Sequence, residues 1–97
     1  MTILEFRPRA SADLEEAALW YESRRPGYGL KFLDEAESLI SRIEDNPRQF
    51  PVAFRDARRA LMNRFPYAIY FRLIGDRAIV VAVMGQARRE SRWHSRV

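Results

Sequence analysis

Arginine is the side chain through which this sequence could do most of its chemistry. Sixteen of its seventeen basic residues are arginine, and the formal net charge is +4. Residues 1–50 contain ten acidic and seven basic side chains, whereas residues 51–97 contain three acidic and ten basic ones. The second half therefore carries +7 and the first half −3. Because a guanidinium group binds phosphate or carboxylate through two parallel hydrogen bonds, the second half is expected to face a polyanion or an acidic protein segment.

Five residues of the second half are candidates for contact with a macromolecular partner. Arg59 and Arg64 are expected near the two ends of one strand and on its opposite faces, and Arg88 follows the end of the last strand. Tyr70 and Trp93 carry rings that could stack on a base or form an interface hot spot beside arginines. Alternatively, both rings could pack in the core.

Acid–base chemistry has few candidates. His94 is the only histidine, and no neighbour in sequence would fix its tautomer. Together with Arg64 and Arg88, which could offset charge on a phosphoryl group, it forms the weak catalytic set of the chain. The sequence has no cysteine and no second histidine, so we expect neither a thiolate nucleophile, nor a metal site, nor a cofactor.

The composition is typical of one folded domain over residues 1–97. Hydrophobic residues make up 47% and charged residues 31%, which excludes a disordered or low-complexity chain. No apolar run approaches the ~20 residues that cross a bilayer. Glu5, Arg7 and Arg9 stand where a secretion signal would need apolar residues. With the absence of cysteine, these features predict a cytoplasmic protein.

Hydrophobic periodicity divides the chain into a helical part and an extended part. The first helix is expected to start at Ser11 as its N-cap, and its acids, Glu22 among them, are expected on a solvated face. Residues 46–56 are interpreted as a loop. The periodic elements are, in order, a strand over 3–7, helices over about 11–25 and 30–45, and strands over 58–65, 67–74 and 77–84.

This order predicts an α+β fold: an N-terminal strand, an antiparallel two-helix hairpin, and a three-stranded antiparallel meander. The hairpin is expected to cover one face of the sheet. The last strand is apolar on both sides from Ile79 to Met84, so it is expected in the centre of the sheet. The other face is expected to present Arg59, Arg64, Arg72 or aromatic side chains to a partner.

Several short strings in this sequence together resemble the RelE/ParE superfamily of bacterial toxins. They are Ala17–Glu22, Arg25–Gly29, Asn46-Pro47, Phe50-Pro51, Arg58–Leu61, Arg64–Tyr70 and a terminal block with Arg88 and Trp93. The resemblance covers essentially the whole chain. It implies a RelE/ParE-like fold, the role of toxin in a type II toxin–antitoxin module, and an antitoxin encoded next door whose C-terminal segment wraps the toxin.

Two departures from the superfamily pattern bear on the cellular target. Relatives that cut messenger RNA in the ribosomal A site usually have an arginine after the tyrosine that opens the third strand, where this chain has Ala68. Close relatives often have a histidine where Gly85 stands. The resemblance therefore favours the ParE-like branch, which acts on DNA gyrase, because a gyrase inhibitor needs a complementary surface and not an assembled active site.

Three functions stay open. The favoured one is a toxin that inhibits growth by binding a target of the DNA gyrase type, is neutralised by an antitoxin in a hetero-oligomer, and is not an enzyme. The first alternative is a ribosome-dependent mRNA endoribonuclease that uses Arg64 and Arg88 for phosphate charge and His94 or a ribosomal group for proton transfer. The second is a non-toxic nucleic-acid-binding or interaction module. None of the three involves a membrane.

Overall fold

The structure is a computed structural model that describes residues 2–86 and 91–97. The described residues form a five-stranded mixed sheet in the order β1-β5-β4-β3-β2, in which β1 runs parallel to β5 and the other pairs are antiparallel. Within this part of the chain, no helix combines the length and the apolar character needed to span a membrane. The elements are β1 (Ile3–Phe6), α1 (Pro8–Arg24), α2 (Tyr28–Asp45), a 3-10 turn (Pro47–Gln49), β2 (Val52–Phe54), β3 (Ala57–Leu61), β4 (Tyr67–Ile74), β5 (Arg77–Gly85) and α3 (Ser91–His94).

The predicted α+β class is confirmed, but the three-stranded meander is wrong in detail. Residues 52–54, predicted as a loop, form β2 and extend the antiparallel part to four strands. β1 adds a fifth strand, parallel to β5. The turn between β2 and β3 places Arg55 at a φ of 52°. Turns of this kind are usually marked by glycine or asparagine, so the sequence carried no signal for this one.

Helix α1 begins three residues before the predicted N-cap. Pro8 occupies the first turn, and the backbone N–H of Ser11 donates to the Arg7 carbonyl oxygen at 3.0 Å. Proline suits that position because the N–H it lacks would have no partner in the first turn of a helix. Ser11 is therefore inside the helix and not its cap.

Glu22 holds the link between the two long helices. Its side chain is exposed, as expected for the solvated face, and its carboxylate also accepts the backbone N–H groups of Gly27 and Gly29 at 3.0 Å. A Cβ atom at Gly29 would lie 2.8 Å from the Ala18 carbonyl oxygen. The close approach of the helices at this point therefore requires glycine.

Helices α1 and α2 cover one face of the sheet, which we call the helix-covered face. Phe32 is fully buried there, 5.3 Å from the Tyr21 ring and 5.2 Å from the rings of Phe65 and Tyr67, measured between centroids. Burial, and secondarily the neighbouring Tyr67, raises the pKa of Tyr21. The main core of the domain lies on this face, and its other large buried members are Leu39, Ile43, Ile69, Phe71, Val80 and Val83.

Strand β5 lies between β1 and β4, as its apolar run predicts. Phe71 is opposite Val80 and Tyr70 is opposite Ala82, so Val81 is an extra residue in a β-bulge. Val80 packs under the helices, whereas Val81 and Ala82 belong to a second core cluster on the opposite face. Because of the bulge, the consecutive residues Val81 and Ala82 both face away from the two long helices instead of alternating between the faces.

Candidate macromolecule-binding face

The sheet face opposite the two long helices, called the second face here, is covered by α3. Trp93 of this helix is only 2% exposed and stacks on Tyr70 with 4.0 Å between ring centroids. The strands present small side chains beneath the rings, at Ala57, Ala68 and Ala82. These alanines leave room for the rings and supply no acid, base or cation.

A row of stacked side chains crosses the second face, and we call it the ring row. Its members, in spatial order, are Arg55, Phe54, His94, Trp93, Tyr70 and Arg59. The rings of Phe54 and His94 are nearly parallel at 3.6 Å, and those of His94 and Trp93 meet edge to face at 4.6 Å. The row ends on both sides in a guanidinium, 5.3 Å from the Phe54 centroid for Arg55 and 5.5 Å from that of Tyr70 for Arg59.

The C-terminus is fastened to the edge of β5 by an ion pair between Asp13 and Arg96, which we call the C-terminal clasp. The Arg96 Nη1 atom lies 2.5 Å from Asp13 Oδ2 and donates to the Val81 carbonyl oxygen at 3.1 Å. Asp13 Oδ2 also accepts the Val83 N–H at 3.1 Å. The Arg96 side chain is 10% exposed and that of Asp13 is 15% exposed, so solvent screens the pair little. The clasp supplies hydrogen bonds to β5 beyond the end of β1.

The turn between β2 and β3 is anchored by Asp56 and Arg72. Both carboxylate oxygens of Asp56 accept hydrogen bonds from the Arg72 guanidinium, at 2.9 and 3.0 Å. These bonds from Arg72 hold the pKa of Asp56 below its usual value and raise the pKa of Arg72 itself. The Arg72 guanidinium is thereby engaged within the fold.

Arg64 lies away from the second face. The predicted strand over 58–65 ends at Leu61, so Arg64 belongs to the loop before β4 and does not share a strand with Arg59. Glu35 of α2 holds this loop, because its carboxylate accepts the backbone N–H groups of Asn63 and Arg64. Arg64 lines a shallow hollow against α2.

The structure therefore brings together three of the five predicted contact residues. Tyr70 and Trp93 are buried against each other, and half-buried Arg59 lies over the Tyr70 ring. In this arrangement the two rings hold α3 on the sheet and are not presented to a partner. Arg64 lies elsewhere, and Arg88 lies outside the described residues. Among the predicted catalytic residues, His94 stacks on Phe54 and is not grouped with Arg64.

Four residues with structural or surface roles were not singled out from the sequence. Asp13 and Arg96 form the clasp although 83 positions separate them, and no local pattern indicates such a pair. Arg58 donates to the Phe50 carbonyl oxygen at 2.7 Å and ties β3 to the loop before β2. Arg55 lies at the tip of a turn that was interpreted as loop.

An open groove of about 490 Å³ runs between α1 and the edge of β5 that lies beyond β1. Its lining includes Asp13, Glu16, Ala17, Trp20, Tyr21, Pro66, Tyr67, Val83, Met84 and Gly85. Trp20 is 49% exposed at this groove, and large apolar side chains also emerge from the helical hairpin at Leu19 (70% exposed) and Leu30 (67%). Trp20 is part of the groove lining, whereas Leu19 and Leu30 lie outside it.

Comparison with known proteins gives a match over most of the chain. The model of a family described as the ParE toxin of the type II toxin–antitoxin system parDE matches residues 4–90. No curated protein matches the chain significantly. Among solved structures, the fold is similar to that of the chromosomal ParDE toxin–antitoxin system from P. aeruginosa, with a TM-score of 0.78 and 20% sequence identity over 88% of this chain and 96% of the other.

Proposed function

The chain belongs to the ParE toxin family of type II toxin–antitoxin systems, and we propose that it arrests growth by binding a target of the DNA gyrase type. In this proposal it acts through a complementary surface, cuts no RNA, and is neutralised by an antitoxin protein. A target of this kind requires the toxin to be in the cytoplasm.

The proposal rests on one observation, namely that α3 covers the second face. RNA cleavage needs an acid or base beside the 2′-hydroxyl and cations at the scissile phosphate. In the described residues, the middle of this face consists of alanines under the Trp93 ring, and His94 is held in a stack on Phe54. Arg64 lies on the α2 side. Among residues 2–86 and 91–97, His94 and Arg64 are therefore not brought together, which favours a toxin that acts by binding over one that cuts RNA.

We further propose that the antitoxin binds along the groove between α1 and β5. Trp20, which is about half exposed, gives the groove a large apolar side chain that an amphipathic segment would bury. Pro66 and Tyr67 belong to the lining of the groove. Arg64 lies two residues before Pro66 but lines the separate hollow against α2, so it is proposed as an antitoxin contact beyond the groove itself.

The target is proposed to bind at the opposite side, over the ring row. Arg59 supplies one guanidinium there, and Arg88 is proposed as a further contact from outside the described residues. Tyr70 and Trp93 lie beneath this surface and support it indirectly, because their stacked rings hold α3 on the sheet. The two partners would then occupy different sides of the toxin.

Controlled expression in cells tests the proposed function. Growth arrest with filamentation and a DNA-damage response, without new cuts in mRNA at the ribosomal A site, is the expected result. Rapid arrest of translation with A-site cuts would show the endoribonuclease, and normal growth at high protein level would show a non-toxic module. Trp20→Glu provides the antitoxin arm: it should remain toxic but escape neutralisation by the product of the neighbouring gene.

A further inference from the structure

We infer that Arg55 is a contact residue through which the toxin binds an acidic surface of its protein target. The inference rests on the proposed function, since it names a residue and a chemistry for the same target. Arg55 lies at the tip of the β2–β3 turn and is exposed. It is one end of the ring row.

The backbone at Arg55 has an unfavourable conformation. Its φ of 52° is left-handed, and every other described residue with a positive φ is glycine. Glycine would adopt this conformation without strain, whereas an arginine there stores strain in the fold. Strain that a protein retains at an exposed turn points to a function of the side chain, because stability alone would favour another residue.

The residues on both sides of Arg55 make contacts within the fold. The preceding residue, Phe54, stacks on His94 at 3.6 Å, and the following residue, Asp56, is bound to Arg72 through both oxygens. Asp56 is therefore committed to another arginine. The Arg55 guanidinium lies over the Phe54 ring, 5.3 Å from its centroid, and the side chain is exposed. A cation that already rests on a ring loses less conformational freedom on binding than an unsupported side chain does.

The surroundings of Arg55 favour carboxylates of a protein over a nucleic acid. A protein that binds single-stranded nucleic acid offers free aromatic faces on which bases stack. In the ring row the aromatic rings stack on one another or lie under a guanidinium. The exposed group at this end is a planar hydrogen-bond donor that can bind a carboxylate through two parallel hydrogen bonds, and the row offers no free ring beside it for a base to stack on.

The test compares Arg55→Gly with wild type and with a matched control. Arg55→Gly removes the side chain and relieves the backbone strain, so the purified variant should melt at the same temperature as wild type or higher. It should nevertheless need about ten times more protein per cell to arrest growth, and Arg55→Glu should need still more. Arg42→Ala is the control, since Arg42 also lies exposed over a phenylalanine ring at 5.3 Å, on α2; it should arrest growth like wild type.

The outcomes separate this inference from the proposed function. Growth arrest by Arg55→Gly at the wild-type protein level would overturn the inference. Purified wild-type toxin and Arg55→Gly should also be compared for binding to RNA and DNA. If wild type binds and the variant loses that binding in parallel with its toxicity, the inference is overturned in favour of a nucleic-acid partner. Arrest by wild type without a DNA-damage response, together with a non-toxic Arg55→Gly, would refute gyrase as the target and leave the Arg55 contact intact.

Discussion

The two faces of the sheet are covered in very different ways. The helix-covered face is packed under α1 and α2, with 17 and 18 residues, and holds a cluster of interlocking aromatic rings. The second face is covered by α3, with four residues, which is held by the Trp93 ring and by the clasp at Arg96. Stability of the domain should therefore reside on the first face. The second is the one where a change can affect binding without unfolding the protein.

Phe32→Ala, on the helix-covered face, should have the largest effect. The ring is fully buried, so its removal leaves a cavity and should lower the free energy of unfolding by about 3–5 kcal/mol. Urea denaturation followed by circular dichroism measures this loss. Phe32→Leu, which keeps much of the volume, should lose less than half as much. A loss below about 1 kcal/mol for the alanine variant would show that the core is not on this face.

Trp93→Ala, on the second face, should cost less although the side chain is larger. Because one turn of helix can leave the sheet instead of forming a cavity, we expect a loss of about 2 kcal/mol. Hydrogen exchange should accelerate in the β2–β3 hairpin, whose Phe54 stacks on His94, while the amides of α1 and α2 stay protected. Equal acceleration throughout the domain would contradict the separation of the two faces.

Breaking the clasp with Asp13→Asn should cost about 1–2 kcal/mol, since it leaves a largely buried guanidinium without its counter-ion. The asparagine can still accept the Val83 N–H. Adding Arg96→Met should restore part of the loss, and the double-mutant cycle measures the coupling between Asp13 and Arg96. Strictly additive losses in that cycle would show that the two side chains do not act as a pair.

The Asp56–Arg72 pair should have the smallest effect, and the effect should depend on pH. The folded-state pKa of Asp56 lies below 3.8, so the pair stabilises the fold above that pH and stops doing so as pH falls through the lowered pKa. Because both side chains are substantially exposed, Asp56→Asn should lose roughly 0.2–0.5 kcal/mol at neutral pH. The difference from wild type should disappear once the pH has fallen below the lowered pKa of Asp56. A difference that persists there would assign it to something other than the charge.

The parts of the fold that could be predicted from sequence are those with a strong local period. The helical hairpin and the long strands β4 and β5 follow from apolar repeats of 3.6 and two residues, and their bounds agree with the structure to within about three residues. β2 was not predicted because it has only three residues and because Arg55 stands in its turn, where glycine or asparagine would be the usual signal. The parallel pairing of β1 with β5 joins distant segments, which no local pattern can indicate.

The candidate site was predicted less completely for the same reason. The composition of the second half pointed to arginines and aromatics, and Arg59, Tyr70 and Trp93 do lie together. Their arrangement depends on the packing of α3 against the sheet. This contact joins distant parts of the chain, and the polar C-terminal sequence contains no pattern that predicts it. The role of Arg55 follows from its backbone conformation, which is visible only in three dimensions.

Supercoiling of a relaxed plasmid by purified DNA gyrase, with increasing amounts of this toxin, tests the central claim most directly. We expect supercoiling to fall as toxin is added, with wild-type and Arg42→Ala toxin equally effective and no RNA cut in a parallel translation reaction. Full supercoiling at a large excess of toxin, together with cleavage of mRNA on the ribosome, would contradict a surface-binding toxin and show an endoribonuclease instead.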